Sequence, residues 1–123
     1  MSAKTAAPWP EEIRLKRAEK ILEIDFSDGA KIRLPAEYLR VESPSAEVQG
    51  HGPGQKQIVA GRAKVGIGAV EPVGNYAIRL KFDDGHDTGI YSWSYLALLG
   101  REYDKRWKDY LDALKKSGQS RNA

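Results

Sequence analysis

Twice in this chain an alternating run of apolar residues meets an Asp-Gly turn and comes back, and the two places lie 56 residues apart. The first run carries Leu22, Ile24 and Phe26 into Ser27-Asp28-Gly29 and returns through Ile32 and Leu34. The second carries Tyr76, Ile78, Leu80 and Phe82 into Asp83-Asp84-Gly85 and returns through Gly89-Ile90-Tyr91. A period of two places alternate side chains on one face of a strand. Asp-Gly favours a tight reversal, because glycine accepts positive φ and aspartate bonds nearby backbone. Two β-hairpins are therefore expected, and residues 12–16 alternate in the same way to add a strand before the first.

Each hairpin leads into a short helix. Pro35 stops the first returning strand and suits a helix's first turn, so residues 36–40 form a helical turn that sets Tyr38 and Leu39 against the sheet. After the second hairpin, Ser92 or Ser94 caps a helix carrying Tyr95, Leu96, Leu98 and Leu99, with Gly100 as its stop. Leu34, Tyr38 and Leu39 match Tyr91, Tyr95 and Leu96 after a one-residue insertion. Duplication of one ancestral half, or independent selection of the same turn residues, accounts for the likeness.

Farther on, Tyr103, Trp107, Tyr110, Leu111 and Leu114 form a helical stripe with charge on the opposite face. This helix docks on the sheet or offers its aromatics to a partner, since Tyr and Trp are favoured at interface hot spots. Residues 42–54, rich in Ser, Pro and Gly, read as an exposed, mobile loop. Gln57-Ile58-Val59 reads as a short strand, and residues 63–68 as a pairing segment weakened by its glycines. The organisation expected is a flexible N-terminus (1–8), one domain (9–100), a C-terminal helix (101–116) and a disordered tail (117–123). The fold class expected is α+β: a small, mainly antiparallel sheet system built from two β-hairpins, a short helix after each, and a C-terminal amphipathic helix.

A length of 123 residues supports one core. No apolar run approaches the roughly 20 residues that a membrane-spanning helix requires, and the opening MSAKTAAPWP lacks the apolar stretch of a secretory signal. With no cysteine in the chain, disulfides and thiolate chemistry are excluded, and a cytoplasmic address is expected. The charge balance, 20 Lys+Arg against 17 Asp+Glu, is too even for a strongly phosphate-binding domain. Lys56, Arg62 and Lys64 form the densest basic stretch, and Lys115, Lys116 and Arg121 add charge near the end. Solvated surface is the plain reading of both, with weak nucleic-acid binding the less favoured alternative.

Motifs for catalysis are missing. G-x-x-x-x-G-K-[ST], G-x-G-x-x-G and G-x-S-x-G are all absent. Asp83-Asp84 is a turn pair rather than an acid/base pair. His51 and His86 are the only imidazoles; with Asp83, Asp84 or Asp87 they would make a marginal metal donor set. Otherwise His86 is a turn residue and His51 an exposed loop residue.

The stretch Asp84-Gly85-His86-Asp87-Thr88-Gly89-Ile90-Tyr91-Ser92-Trp93-Ser94-Tyr95-Leu96 resembles the signature of the gamma-butyrobetaine hydroxylase-like N-terminal domain, a domain of unknown function. Trp9-Pro10-Glu11-Glu12-Ile13 and Leu34-Pro35-Ala36-Glu37-Tyr38-Leu39-Arg40 show the same pattern, so the resemblance covers residues 9–100. It implies a short stand-alone bacterial member. In the dioxygenases that carry this domain, the resemblance implies a small zinc module with three cysteines after Leu-Arg and a histidine in the Asp-Gly-His motif. Here Ser43, Ser45 and Val48 stand at the thiolate positions and only His86 matches, so the expected state is a degenerate zinc site without metal or cofactor. No hydroxylase activity is implied, because the iron and 2-oxoglutarate ligands belong to a separate catalytic domain. The functional expectation is a non-catalytic binding or adaptor module with a protein partner. Its candidate surface is His86, Tyr91, Trp93 and His51. The alternative is an accessory of an oxidoreductase or iron–sulfur assembly system with weak metal contact through His86 and His51.

Overall fold

The computed structural model describes residues 8–49 and 56–122. The alternating segments become two three-stranded antiparallel sheets, the first with order β1(Pro10–Lys16)-β2(Ile21–Phe26)-β3(Lys31–Pro35) and the second with order β4(Ile67–Val73)-β5(Ala77–Phe82)-β6(Gly89–Ser92). Leu22, Ile24 and Phe26 on β2 and Ile78, Leu80 and Phe82 on β5 are all buried in one core. Their neighbours on the opposite faces carry cross-strand ion pairs, Arg14 with Glu23 and Asp25, and Arg79 with Glu71. Such pairs help register more than stability.

The likeness between the halves extends to individual hydrogen bonds. Asp28 Oδ1 accepts from the Ala30 amide at 3.0 Å, and Asp84 Oδ1 accepts from the His86 amide at 3.0 Å. Gly29 and Gly85 sit at φ +90° and +93°, the left-handed region that a side chain makes costly. Register shifts occur between Pro10 and Glu12 in β1 and between Ile67 and Ala69 in β4. The helix after each sheet, α1(Ala36–Val41) or α3(Trp93–Arg101), begins with its first amide bonded back across its own sheet, Ala36 to the Lys20 carbonyl and Trp93 to the Tyr76 carbonyl. Ser92 caps α3 by accepting from the Tyr95 amide.

Two tyrosines lock the halves together reciprocally. Tyr38 of α1 donates its hydroxyl to the Leu99 carbonyl at 2.7 Å, and Tyr95 of α3 donates to the Glu42 carbonyl at 2.5 Å. Each thereby satisfies a carbonyl at the C-terminal end of the other helix, Leu99 in the last turn of α3 and Glu42 at the cap of α1, where intrahelical partners run out. Tyr38 and Tyr95 occupy corresponding positions, and so do Glu42 and Leu99 with the one-residue insertion counted.

The structure departs from the sequence reading in several places. Residues 42–49 are no exposed loop: Glu42, Ser43, Ser45 and Val48 are buried, and a short helix α2 spans Ala46–Gln49. The part of that expected loop at 50–54 lies outside the described residues. Gln57, Ile58 and Val59 are not a strand; the segment is irregular and is held by the Gln57 amide on the Val48 carbonyl and by the Tyr110 hydroxyl on the Val59 carbonyl. Gly100 does not stop α3, which continues to Arg101. Its missing side chain serves packing instead, since a Cβ there would lie 2.7 Å from Ile32 Cγ2.

The last helix, α4(Tyr103–Ser117), packs over α1 rather than on the open sheet. Tyr38 and Tyr103 meet edge to face at 4.8 Å, and Tyr110 and Leu114 close on Val41. The expected disordered tail is held through residue 122, with the Ser120 and Arg121 carbonyls accepting from the Gly61 and Ala63 amides. Among the described residues, no helix is long and apolar enough to cross a membrane.

The reciprocal lock is testable. Tyr38→Phe leaves the Leu99 carbonyl buried without its donor, and Tyr95→Phe does the same to the Glu42 carbonyl. Urea unfolding should show each variant destabilised by about 1–2 kcal/mol with an unchanged m-value.

Candidate functional site

The candidate site lies where the end of α1 meets the second Asp-Gly turn. α1 delivers Arg40, the following turn delivers Ser43 and Ser45, α2 contributes Val48, and the turn between β5 and β6 contributes Asp84, His86 and Thr88. All three of Ser43, Val48 and His86 are nearly sealed from solvent, at 0%, 2% and 5% exposure. Ser43 Oγ and His86 Nε2 are 2.9 Å apart. The Ser45 amide donates to Ser43 Oγ at 3.3 Å, and Thr88 Oγ1 donates to Ser45 Oγ at 3.0 Å. Gly89 is required beside this cluster, since a Cβ there would stand 2.7 Å from Ser43 Oγ and 3.0 Å from the Tyr91 ring.

Under the cluster sits an electrostatic knot. Arg40 is buried and donates from Nε to Asp84 Oδ2 at 2.8 Å, while Arg62 approaches the same oxygen to 2.7 Å. Asp84 therefore fixes the turn with one oxygen and holds two guanidinium groups with the other. Burial works to raise its pKa, but the His86 amide and the two arginines outweigh burial and hold the carboxyl below its ordinary value.

This geometry encloses two of the residues expected at the candidate binding surface. His86 is inside, bonded to Ser43. Tyr91 is fully buried and donates its hydroxyl to the Leu39 carbonyl at 2.5 Å; burial drives its pKa well above the ordinary tyrosine value, with the Ser43 hydrogen bond pulling the other way. Both residues are enclosed by the protein itself. Trp93 is half-buried, with its indole N–H donated to the Asn75 carbonyl at 2.9 Å. His51 lies outside the described residues. Ser43, Ser45 and His86, three of the four positions expected to be a degenerate metal site, do come together, with the fourth, Val48, tied to them through its amide on the Ser45 carbonyl.

The donor set does not fit the tetrahedral zinc that the resemblance implies. One imidazole, two neutral hydroxyls and an isopropyl group supply no thiolate, and the imidazole Nε2 is hydrogen-bonded to Ser43 Oγ. Among the described residues, no group of three or more His, Cys, Asp or Glu is arranged to hold a metal ion.

The corresponding corner of the first half differs in character. Ala30, Ala97 and Gly100 take the places of His86, Arg40 and Ser43, and they border a pocket of about 180 Å³ with Phe26, Ile32, Asp28 and Arg101. A larger cleft of about 340 Å³ runs between residues 56–59 and α4, lined by Glu42, Lys56, Ile58, Lys105, Arg106 and Tyr110 among others. Glu42, only 3% exposed, accepts there from Lys56 at 2.7 Å and from Arg106 at 2.8 Å. Burial, reinforced by Glu42, pushes the Tyr95 hydroxyl up to about 12. Sequence reasoning missed Arg40, Glu42 and Arg106 because their partners are 44, 14 and 64 residues away.

A chain with two pseudo-equivalent sheet-and-helix halves and a buried Asp-Gly-His corner defines a particular class of small α+β domain. The family described as gamma-butyrobetaine hydroxylase-like, N-terminal, matches residues 13–97, and the chain belongs to it. An NMR solution structure with 45% identity covers 95% of this chain and 92% of its own, with a TM-score of 0.83. A second, also 45% identical, covers 98% and 90% with a TM-score of 0.82. The crystal structure of a protein of unknown function in the DUF971 family, from Acidithiobacillus ferrooxidans, is 44% identical, covers 74% of this chain and 91% of its own, and gives a TM-score of 0.63. No curated protein matches the chain.

Asp84 makes stability acid-sensitive. Its folded-state pKa lies below the ordinary value of 3.8, so its contribution is full above that value and is lost as pH falls through the lower, folded value. Asp84→Asn strands Arg40 in the core and should cost about 3–5 kcal/mol at neutral pH. Denaturant titrations between pH 7 and pH 2 should show the gap between variant and parent narrowing below pH 4.

Proposed function

We propose that this chain acts by contact, as a non-catalytic binding or adaptor module, and that its Asp-Gly-His corner is a scaffold from which a zinc site has degenerated. The carrying observation is the closure of that corner: Ser43 and His86 satisfy each other at 2.9 Å inside the protein, with Tyr91 turned onto a backbone carbonyl. A catalytic dyad needs a cavity in which substrate meets the nucleophile. Ser43, at 0% exposure, has the Cα of Gly89 and the Tyr91 ring packed against it instead.

A protein partner is favoured over nucleic acid. Three of the cations that a phosphate backbone would engage are committed to buried or half-buried acids: Lys56 to Glu42, Arg62 to Asp84 and Arg121 to Glu37. Neutralising phosphates with them would strand those carboxylates. The absence of cysteine fits a reducing compartment, and a cytoplasmic address belongs to the same proposal.

Metal titration tests the reading. The purified chain should bind neither zinc nor iron stoichiometrically at micromolar concentration, and cobalt should give no tetrahedral absorption band. The Ser43→Cys, Ser45→Cys, Val48→Cys triple variant should acquire that band and lose it again on adding His86→Ala. Stoichiometric zinc or iron in the unmodified chain would overturn the proposal in favour of a metal-contacting accessory of an oxidoreductase or iron–sulfur system.

A further inference from the structure

The C-terminal segment is seated on the protein as a ligand sits on a receptor. Residues 115–120 are all exposed, and Arg121 is the first residue after them to be partly buried. Its guanidinium donates from Nε and Nη2 to the two carboxylate oxygens of Glu37, at 2.8 and 2.6 Å. The same group lies over the Trp107 ring, 5.3 Å from its centroid. On either side the peptide backbone is read directly, by the Gly61 amide on the Ser120 carbonyl at 2.9 Å and the Ala63 amide on the Arg121 carbonyl at 3.1 Å. A left-handed Gly118, φ +72°, swings the segment off the end of α4.

We propose that the groove between α1, α4 and residues 61–63 is a recognition site for an arginine-bearing peptide segment of a partner protein, held in cis by the chain's own Arg121. The receptor half of the site is built before any ligand arrives. Glu37 is 6% exposed on a helix that is buried throughout, and a carboxylate in that position demands a cation. A planar fork matches it in two parallel hydrogen bonds, and an aromatic face adds a cation–π contact, a combination that selects arginine over lysine. Main-chain hydrogen bonds from Gly61 and Ala63 are independent of the peptide's side chains and fix its direction. A hollow of about 350 Å³ bordered by Gly61, Ala63, Lys64, Arg121 and Asn122 gives a longer peptide room beside the arginine. The cis segment exposes most of its length and is anchored chiefly by one side chain, itself 42% exposed, so an incoming arginine has one principal anchor to displace.

This inference rests on the contact-module reading and names its site. The test uses the full chain with Arg121→Ala, which empties the guanidinium slot, and an N-acetylated peptide with the sequence of residues 118–123, Gly-Gln-Ser-Arg-Asn-Ala, monitored by two-dimensional amide NMR. Saturable shifts are expected at the Gly61 and Ala63 amides and the Trp107 indole, at least tenfold weaker binding with lysine in place of the peptide's arginine, and none once Glu37→Gln is added. The unmodified chain should bind the peptide at least tenfold more weakly than the Arg121→Ala variant, because the tethered competitor acts at millimolar effective concentration. If Arg121→Ala does not fold, Arg121→Lys keeps the positive charge, loses the fork and carries the same comparisons. A folded variant that shows no saturable shift with millimolar peptide, or that treats arginine and lysine peptides alike, overturns the groove. Tight metal binding or chemical turnover by the chain would instead overturn the contact-module reading and leave the peptide result standing.

Discussion

Every residue of α1 is buried, although two of its six residues are charged. A helix of that composition can be enclosed only if each charge finds a partner, and the rest of the structure supplies them. Glu37 receives Arg121 from the C-terminal segment, Arg40 receives Asp84 from the second turn, and Glu42, the cap of α1, receives Lys56 and Arg106. The covering elements are thus drawn from residues 56–62, α4 and the C-terminal segment. Coulombic gain over such distances in a partly dry setting roughly offsets desolvation, while removing one partner leaves the other exposed to the full penalty. The pairs therefore specify which segment covers which part of α1 more than they add net stability.

The features legible in the sequence are those that depend on near neighbours. The Asp-Gly turns, the period-two strands and the tyrosine and leucine after each hairpin are local patterns, and the structure realises them with the same hydrogen bonds in both halves. The Ser- and Pro-rich stretch after α1 misleads because composition reports solubility, not location. Ser43 and Ser45 are buried because Gln49 Nε2, Thr88 and His86 satisfy the polar groups around them, and the last two of those partners lie 43 residues along the chain. Gly100 misleads for a related reason, since a glycine that ends a helix and a glycine that admits Ile32 look identical in sequence. The basic run at Lys56 and Arg62 reads as unpaired only while Glu42 and Asp84 remain distant in the chain.

The two halves then diverge where chemistry would be placed. In the second half the corner is filled by His86, Ser43 and Arg40; in the first half Ala30, Gly100 and Ala97 leave a small apolar pocket in the same position. Scaffolds stay alike while side chains diverge when the turn hydrogen bonds and the tyrosine lock are common to both halves and each corner has only to be filled without leaving a polar group unpaired. A buried histidine bonded to a serine is a stable way of filling a corner of that shape, since each group offers the other the hydrogen bond that water would have supplied.

The same logic separates packing from recognition on the outer surface. Along α4, Tyr103, Trp107 and Tyr110 turn inward onto Tyr38, Val41 and Val59, so the aromatic stripe is spent on covering α1 and is not free to seek a partner. The exception is the face of Trp107 that meets Arg121, where the contact is made by a segment whose neighbours are exposed. A contact that completes a core is enclosed by other residues of the same core. One that lies at the end of an exposed segment, reads the backbone through two amides and closes on a single guanidinium has the organisation of an interface, with one anchoring side chain at its centre. On that physical ground the covering of Glu37 differs from that of Asp84, held by Arg40 of α1 and by Arg62, and from that of Glu42, held by Arg106 of α4 as well as by Lys56.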